Sequence, residues 1–217
     1  MKQELTVELL RTEARVFSEA ESTHAEPVIY GVTDGKAVGT YLEHKFQTYL
    51  RERYTYEEGS SAKGIDFPKL GVDIKVTSIK QPQSSCPFKN ARQKIFGLGY
   101  SLLLFVYEKT DDQHTRTAKL NILHSIYIEA DKTADYQITT GILNIIKNNG
   151  NRDDIVAFMQ DRLLPVEEIQ AQQIADEIMA NPPKIGYLTI SNALQWRLQY
   201  RRVIEEAGKV DGIHKIR

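Results

Sequence analysis

Two carboxylates and one ammonium group lie close together in the segment Asp66–Lys75. Asp66 precedes a turn, and Asp73 and Lys75 belong to the extended run that follows it. Hard divalent cations bind oxygen atoms and keep several waters, so two carboxylates and one backbone carbonyl are enough protein ligands for Mg²⁺. We therefore assign Asp66, Asp73 and the carbonyl of Ile74 to a magnesium site with one or two ions. Lys75 can hold an activated water or stabilise a phosphorane-like transition state, so these residue types predict phosphodiester hydrolysis.

An ordinary explanation of the same charges also stays open. Two acids seven residues apart, with a lysine two residues further on, occur by chance in roughly one in ten chains of this length. An edge strand with exposed charges would give the same pattern. The context favours a site, because an acid-bearing turn precedes the strand and an upstream helix carries a further acid, Glu43, on its flank.

The elements that would position these side chains are a strand and a helix. Apolar residues alternate with polar ones along Leu70–Ser78, which is the period-2 geometry of a strand with one buried face. Asp73 and Lys75 fall on the same, polar side of it. Upstream, apolar residues recur at helical spacing from about Lys36 to Arg53 and predict a helix with Glu43 beside its apolar face.

The remaining pattern predicts an α/β protein with a mixed central sheet flanked by helices. Tyr100–Tyr107 and Leu120–Ile128 have the character of strands, and the first is apolar enough to be central. The Pro- and Ser-rich stretch Gln81–Pro87 is expected to be a connection, and Lys184–Ile190 a strand. Three helical patterns lie between residues 133 and 180.

A basic cluster near the C-terminus is the main candidate for substrate binding. Ser191 is predicted to cap a helix that runs to about Ala207. Arg197 and Arg201 would then share one face of this helix, with Arg202 beside them. Arginines neutralise phosphates, and a bidentate arginine is the commonest specific contact to guanine, so we assign the three side chains to DNA binding.

Composition excludes several other classes of protein. The 41% hydrophobic and 26% charged residues are ordinary for a globular protein, and a single cysteine, Cys86, supports neither a disulfide framework nor a thiolate zinc cluster. No apolar run approaches the roughly 18 residues that a membrane helix needs, and the start lacks the apolar core of a signal peptide. We expect an intracellular protein with no membrane partner.

The charge is distributed unevenly although the net charge is only −1. Basic residues outnumber acidic ones by eleven to seven over residues 31–100 and by seven to three over residues 184–217, whereas residues 141–180 carry three against seven. These segments could form a basic face for a polyanion, or they could be solvated surfaces with random fluctuations of sign.

The opening segment resembles a known nuclease superfamily. Its run Asp-Phe-x-x-Leu-Gly-Val-acid-aliphatic-Lys, present as Asp66–Lys75, is similar to the PD-(D/E)xK nucleases, and within them to the branch of the MutH mismatch-repair endonuclease and related GATC-cutting restriction enzymes. The Gly-Lys step at Gly35–Lys36 and the following Tyr41–Glu43 are similar to that branch at the expected distance. Asp73 replaces the more usual Glu, and Ile65 replaces the proline of the motif.

The resemblance implies a restriction-endonuclease-like fold and distributes roles among the residues. The whole chain, 1–217, would be a single nuclease domain, with a catalytic part at about 31–130 and a helical and DNA-recognition part at about 131–217. The implied roles are metal ligation by Asp66 and Asp73, catalysis by Lys75, support of the water or of Lys75 by Glu43, a second lysine at Lys94, and DNA contact by Lys36.

The function implied is sequence-specific cleavage of double-stranded DNA with Mg²⁺ by a type II restriction endonuclease, acting as a homodimer in a prokaryotic-type cytoplasm. We favour restriction over repair because the sequence diverges from the branch outside the motifs. A MutH-like enzyme that nicks one strand is the first alternative. A catalytically inactive DNA-binding protein of the same fold is the second.

Overall fold

The computed structural model describes residues 2–59, 64–191 and 197–217. The helices of these ranges are α1 (Val7–Thr23), α2 (Gly35–Arg53), α3 (Ala91–Phe96), α4 (Tyr136–Lys147), α5 (Arg152–Asp161), α6 (Glu168–Ala180) and α7 (Arg201–Glu206). The strands are β1 (Gln3–Glu4), β2 (Tyr54–Thr55), β3 (Val72–Ser78), β4 (Gln83–Ser85), β5 (Ser101–Asp112), β6 (Thr117–Ile128), β7 (Thr189–Ile190), β8 (Arg197–Gln199) and β9 (Ile213–Lys215).

The central sheet has the strand order β3-β5-β6-β9 over the described ranges. β3 runs parallel to β5, whereas the β5/β6 and β6/β9 pairs are antiparallel. The apolar run at the start of β5 is buried on both faces, as expected for a central strand. The predicted mixed sheet with flanking helices is confirmed. β3 lies at one edge of this sheet, and the register places Asp73 beside Leu102 and Lys75 beside Leu104 of β5.

Each face of the sheet has its own hydrophobic core. On one face, Phe46 of α2 packs against Phe17 of α1 and Phe105 of β5, with ring centroids 4.9 and 5.1 Å away. On the other face, residues such as Leu104 pack against Leu198 of β8 and the C-terminal helix α7. Full burial of one such side chain contributes about 1.5–3 kcal/mol, so the two cores hold β5, the neighbour of β3, from both sides.

The start of α2 brings the helix close to β3. Asp34 caps the helix by accepting a hydrogen bond from Lys36 N at 3.0 Å. A Cβ atom added at Gly39 would lie 3.7 Å from Val76 O, so the helix backbone passes near the strand. Glu43 follows one helical turn later and therefore faces the same strand edge.

Two sequence predictions about local structure are wrong. The stretch Gln81–Pro87, expected to be a connection, contains β4, which pairs with β8. The helix expected from Ser191 to Ala207 is replaced by the strand β8 and the short helix α7, while residues 192–196 of that prediction lie outside the described residues. Arg197 and Arg201 therefore do not share a helix face. Pairing between strands more than a hundred residues apart overrides the local helical pattern here.

Two smaller expectations have mixed outcomes. Of the strand expected over Lys184–Ile190, only Thr189–Ile190 is paired as a strand. No helix of the described ranges is long and apolar enough to cross a membrane. The division of one nuclease domain near residue 130 stays a prediction, and the β4/β8 pair joins the two proposed parts.

Candidate active site

Asp66 occupies the free edge of β3. Its Oδ2 accepts a hydrogen bond from Ile74 N at 2.7 Å, and its Oδ1 accepts one from Gln47 Nε2 at 3.0 Å. Among the strands that the structure describes, none pairs with the outer edge of β3, where the N–H of Ile74 points. The carboxylate of Asp66 supplies the missing acceptor and is thereby fixed against the strand.

A tight turn returns the chain from Asp66 to β3. Phe67 and Val72 exchange backbone hydrogen bonds of 2.9 and 3.2 Å across it. Gly71 has φ = 62°, a left-handed conformation that glycine adopts without the steric cost of a side chain. This closure places Asp66 beside Ile74 although eight positions separate them in sequence.

Lys75 lies on the oxygen atoms that the sequence assigned to a metal ion. Its ammonium forms an ion pair with Asp73 Oδ2 and donates a hydrogen bond of 3.2 Å to Ile74 O. The Asp73 side chain is only 7% exposed and that of Lys75 20%. The Asp73 carboxylate and the Ile74 carbonyl therefore already bind one positively charged group, the ammonium of Lys75.

The two aspartates are close enough to influence each other strongly. Burial, a hydrogen bond with Asp73 and the negative charge of Asp73 raise the pKa of Asp66 to about 8, against the lowering effect of Ile74 N–H. Two neighbouring carboxylates repel each other when both are charged, which favours the protonated form of Asp66 until a cation enters.

Glu43 of α2 joins the same cluster. Burial raises the pKa of its carboxyl, the charge of Lys75 opposes this, and the charge of Asp73 adds to it. The neighbouring side chain of Asp66 lowers the pKa of Glu43, which is the smallest of these effects. The structure thus brings together Glu43, Asp66, Asp73 and Lys75, as the sequence predicted.

The available ligands suit a cation that keeps much of its water. Within the described ranges, no three or more His, Cys, Asp or Glu side chains are arranged as a metal cage. Two carboxylates, from Asp66 and Asp73, and the carbonyl of Ile74 are present at the strand edge. Mg²⁺ is commonly bound by one or two carboxylates while several waters remain, so the donor set fits this ion.

An open cleft of about 770 Å³ lies over this edge. Asp66 and Asp73 do not line this cleft themselves. They bind Ile74 and Lys75, respectively, and these two residues do line it. Basic groups outnumber acidic ones in the lining, so its field attracts a polyanion. The charged lining residues are Lys36, Lys75, Lys80 and Arg197 on the basic side and Asp34 and Glu43 on the acidic side.

Comparison with known proteins identifies the family. The family model described as type II restriction enzyme NspV matches residues 4–215. The chain belongs to this family. A type II restriction enzyme NspV from Nostoc sp. is 69% identical over 209 residues, which cover 96% of this chain and 95% of the relative. No solved structure matches this chain.

Membership in the NspV family confirms the main functional prediction. The chain is a type II restriction enzyme, that is, a sequence-specific DNA endonuclease, and this class requires a divalent metal ion. The family assignment favours restriction over both the nicking and the inactive alternatives. Membership in the PD-(D/E)xK superfamily stays a prediction.

The other basic residues that the sequence singled out have different surroundings in this NspV-family chain. Arg197 lines the cleft, whereas Arg201 is exposed on α7 and is not part of the lining. The guanidinium of Arg202 lies 3.7 Å from the ring centroid of Tyr136, a cation–π contact. The predicted cluster is therefore not one surface.

Lys94 is enclosed in α3 and is 1% exposed. Burial lowers the pKa of its ammonium, and the nearby charges of Asp135 and Cys86 partly offset that effect. It is not part of the cleft lining. Its predicted catalytic role stays a prediction.

Several residues of the site were missed in the sequence. Gln47 follows Glu43 by one helical turn, so helical spacing could have identified it as a partner of Asp66. Gln83 lines the cleft from the stretch Gln81–Pro87, which was expected to be a connection, and Lys80 lines it from just before that stretch. A strand of three residues carries too short an alternation to be recognised, so no local signal marked them.

Proposed function

We propose that this NspV-family enzyme hydrolyses double-stranded DNA at the edge of β3. Asp66, Asp73 and the Ile74 carbonyl are the proposed ligands of one or two Mg²⁺ ions, and Lys75 and Glu43 the proposed catalytic side chains. The observation that supports this assignment best is the meeting of these groups on one strand edge that opens into a positively charged cleft.

Magnesium bound at these oxygens would polarise a phosphate oxygen and lower the pKa of an adjacent water. Lys75 has three N–H donors, and the structure uses two of them, on Asp73 and Ile74 O. The third can donate to a non-bridging oxygen of the reacting phosphate. Its positive charge then stabilises the negative charge that builds up in the transition state.

Glu43 is the proposed supporting acid. Burial raises the pKa of this carboxyl, so the pKa lies closer to neutral pH than that of an ordinary glutamate. It can therefore orient the attacking water and accept a hydrogen bond from it. Glu43 lines the same cleft as Ile74 and Lys75, so its carboxyl is available to a water bound there.

Binding of the DNA backbone falls to the basic residues of the cleft. Lys36 at the start of α2 and Lys80 line the same cleft as Lys75 and would neutralise phosphates of the bound strand. Cutting both strands of a duplex needs two active sites, and a two-fold symmetric homodimer supplies them. We therefore propose a homodimer, and a cytoplasmic location in keeping with a DNA substrate.

The test is incubation of the protein with supercoiled plasmid and Mg²⁺, followed by sequencing of the new ends. We expect linear DNA cut at a fixed sequence, whereas a nicking enzyme would give open circles. Asp73→Ala and Lys75→Ala should abolish cutting while DNA binding is kept. Matched controls are Asp161→Ala and Lys147→Ala, which remove exposed charges outside the cleft lining.

Cutting by Asp73→Ala or Lys75→Ala at the rate of the unmodified enzyme would contradict the catalytic assignment. Loss of cutting in the Asp161→Ala or Lys147→Ala controls would show that the effect is not specific to the strand edge.

A further inference from the structure

The small sheet formed by β4, β8 and β7 has one apolar and one polar face. Leu198 and Ile190 are buried in the core, and Ser84 points inward with them because its Oγ lies 2.6 Å from the Oη of the buried Tyr200. The residues that alternate with these point the other way. This outward set, which we call the reading face, consists of Gln83, Ser85, Thr189, Arg197 and Gln199.

Strand pairing arranges the reading face in two rows. Gln83 and Thr189 both lie opposite Gln199, and Ser85 lies opposite Arg197. Directly opposed residues share a face and lie about 5 Å apart. The reading face therefore presents two amides side by side and a guanidinium in the next row.

The chemistry of this face suits hydrogen bonding to an external partner. It contains donors and acceptors and no carboxylate, so it does not repel DNA. Within the described part of the chain, neither side-chain amide, that of Gln83 nor that of Gln199, has a hydrogen bond to protein. Both side chains are half-buried and held on paired strands, which limits their conformational freedom.

The reading face is joined directly to the catalytic strand. Thr77 is the next residue after Lys75 on the same side of β3, and its Oγ1 accepts a hydrogen bond of 2.9 Å from Gln83 N and donates one of 3.0 Å to Gln83 O. Gln83, Ser85 and Arg197 line the same cleft as Lys75. A base bound at Gln83 or Arg197 would therefore lie in the cleft that contains Lys75, and Gln199 adjoins Gln83 on the same face.

We propose that the reading face enters the major groove and determines the sequence that is cut. Gln83 and Gln199 recognise adenine, since a side-chain amide pairs with its N6 and N7, and Arg197 recognises guanine through O6 and N7. Strands lie about 4.8 Å apart, so this face is about 10 Å wide and fits a groove of about 12 Å. The proposal rests on the proposed function, because it names the specificity residues of that same site.

The test compares cleavage of short duplexes that contain the recognised sequence or a single base-pair substitution of it. The proteins are the unmodified enzyme, Gln83→Ala, Gln199→Ala and Arg197→Lys, which keeps the charge but loses the planar fork. Gln172→Ala, an exposed glutamine of α6 outside the cleft lining, is the matched control. Binding of each duplex with Ca²⁺ in place of Mg²⁺ gives a second readout that needs no cleavage.

Each glutamine variant should lose about tenfold or more of its discrimination at A·T positions, and Arg197→Lys a similar factor at a G·C position. Gln172→Ala should discriminate as the unmodified enzyme does. Gln199→Glu provides a variant of unchanged size, and it should shift the preference at its position from adenine towards cytosine, whose N4 donates to a carboxylate.

Unchanged discrimination in all the reading-face variants would overturn the proposal. A uniform loss over all duplexes, with the ratios between duplexes unchanged, would overturn it as well. If instead Asp73→Ala cuts normally while the variants lose discrimination, the catalytic assignment fails and the reading face stands.

Discussion

Two buried clusters of this protein each combine lysine and aspartate, yet their surroundings differ. In one, Asp135 accepts hydrogen bonds of 2.9 Å from Ile138 N and Ile190 N, and Lys94 lies nearby. In the other, the charge of Asp73 raises the pKa of the neighbouring Asp66, and both side chains lie beside Lys75 and next to an open cleft. In the first cluster backbone N–H groups stabilise the charged carboxylate of Asp135. In the second, burial and the charge of Asp73 disfavour the charged form of Asp66. Unresolved charge next to an opening, rather than burial of charge alone, distinguishes the candidate active site.

The largest expected effect is that of Asp66→Asn. The amide oxygen can still accept a hydrogen bond from Ile74 N, but the negative charge that favours a divalent cation is lost, so cleavage should fall by about a thousandfold or more. Removing the acid next to Asp73 also removes the repulsion between them, so the free energy of unfolding should rise, by about 1 kcal/mol. Plasmid cleavage and urea unfolding measure the two effects. A variant that loses both activity and stability would mean that Asp66 is mainly structural.

Asp135→Asn should lower stability and leave cleavage nearly unchanged, which is the opposite of the result expected for Asp66→Asn. An amide group turns its nitrogen towards one of the two backbone N–H groups that the carboxylate now binds, and that N–H loses its acceptor. We expect a loss of about 2–3 kcal/mol in the free energy of unfolding. Cleavage by the folded fraction should stay within about threefold of the original rate. Thermal unfolding and cleavage at low temperature check these two values, and a stable but inactive variant would contradict them.

The two lysines can be compared with the same substitution. Lys75→Met should remove cleavage by about a thousandfold with little change in stability, because its side chain is at the cleft. Lys94→Met alters a side chain that is 1% exposed, and its main effect should be on stability, at about 1–2 kcal/mol in either direction. Single-turnover cleavage and chemical unfolding separate these outcomes. Equal losses of activity in both variants, at unchanged stability, would support the catalytic role that the sequence predicted for Lys94.

The smallest expected effect concerns a third carboxylate, Glu26. Burial raises its pKa, but hydrogen bonds from Tyr41, Val28 N and Lys45 outweigh this and lower the pKa to about 2. Its stabilising effect is therefore complete above about pH 5 and is lost as the pH falls towards 2. Glu26→Gln should flatten the acid side of the stability profile, by less than about 1 kcal/mol, and leave cleavage at neutral pH unchanged. An identical acid profile for both proteins would show that Glu26 is not stabilised by these partners.

Sequence patterns were sufficient for the elements that carry the catalytic cluster. The period-2 alternation around Asp73 and Lys75 and the helical spacing around Glu43 are local properties, and both elements formed as expected. The tight turn at Gly71 then fixes the position of Asp66 beside Ile74. The raised pKa of Asp66 depends on how closely Asp73 approaches it, and sequence alone does not supply that distance.

The small sheet could not be predicted in this way. The residues of β4 and β8 are few, and each strand exists because of the other, over a hundred positions away. Local propensity around Arg197 favoured a helix, and only the distant partner decided for a strand. Asp135 was missed for a similar reason, since one of its two donors, Ile190 N, belongs to β7. The pairing of distant strands is therefore the main reason why the predictions for β4 and β8 were wrong.

The hydrogen bond between Asp66 and Ile74 N has a consequence for solubility. An exposed strand edge is a template on which a second chain can add its own strand, and proteins protect such edges from one another. Asp66 stands where that strand would pair, and its Oδ2 already accepts the hydrogen bond from Ile74 N that an added strand would need. The carboxylate proposed to bind the cofactor thus also shields the enzyme from edge-to-edge aggregation.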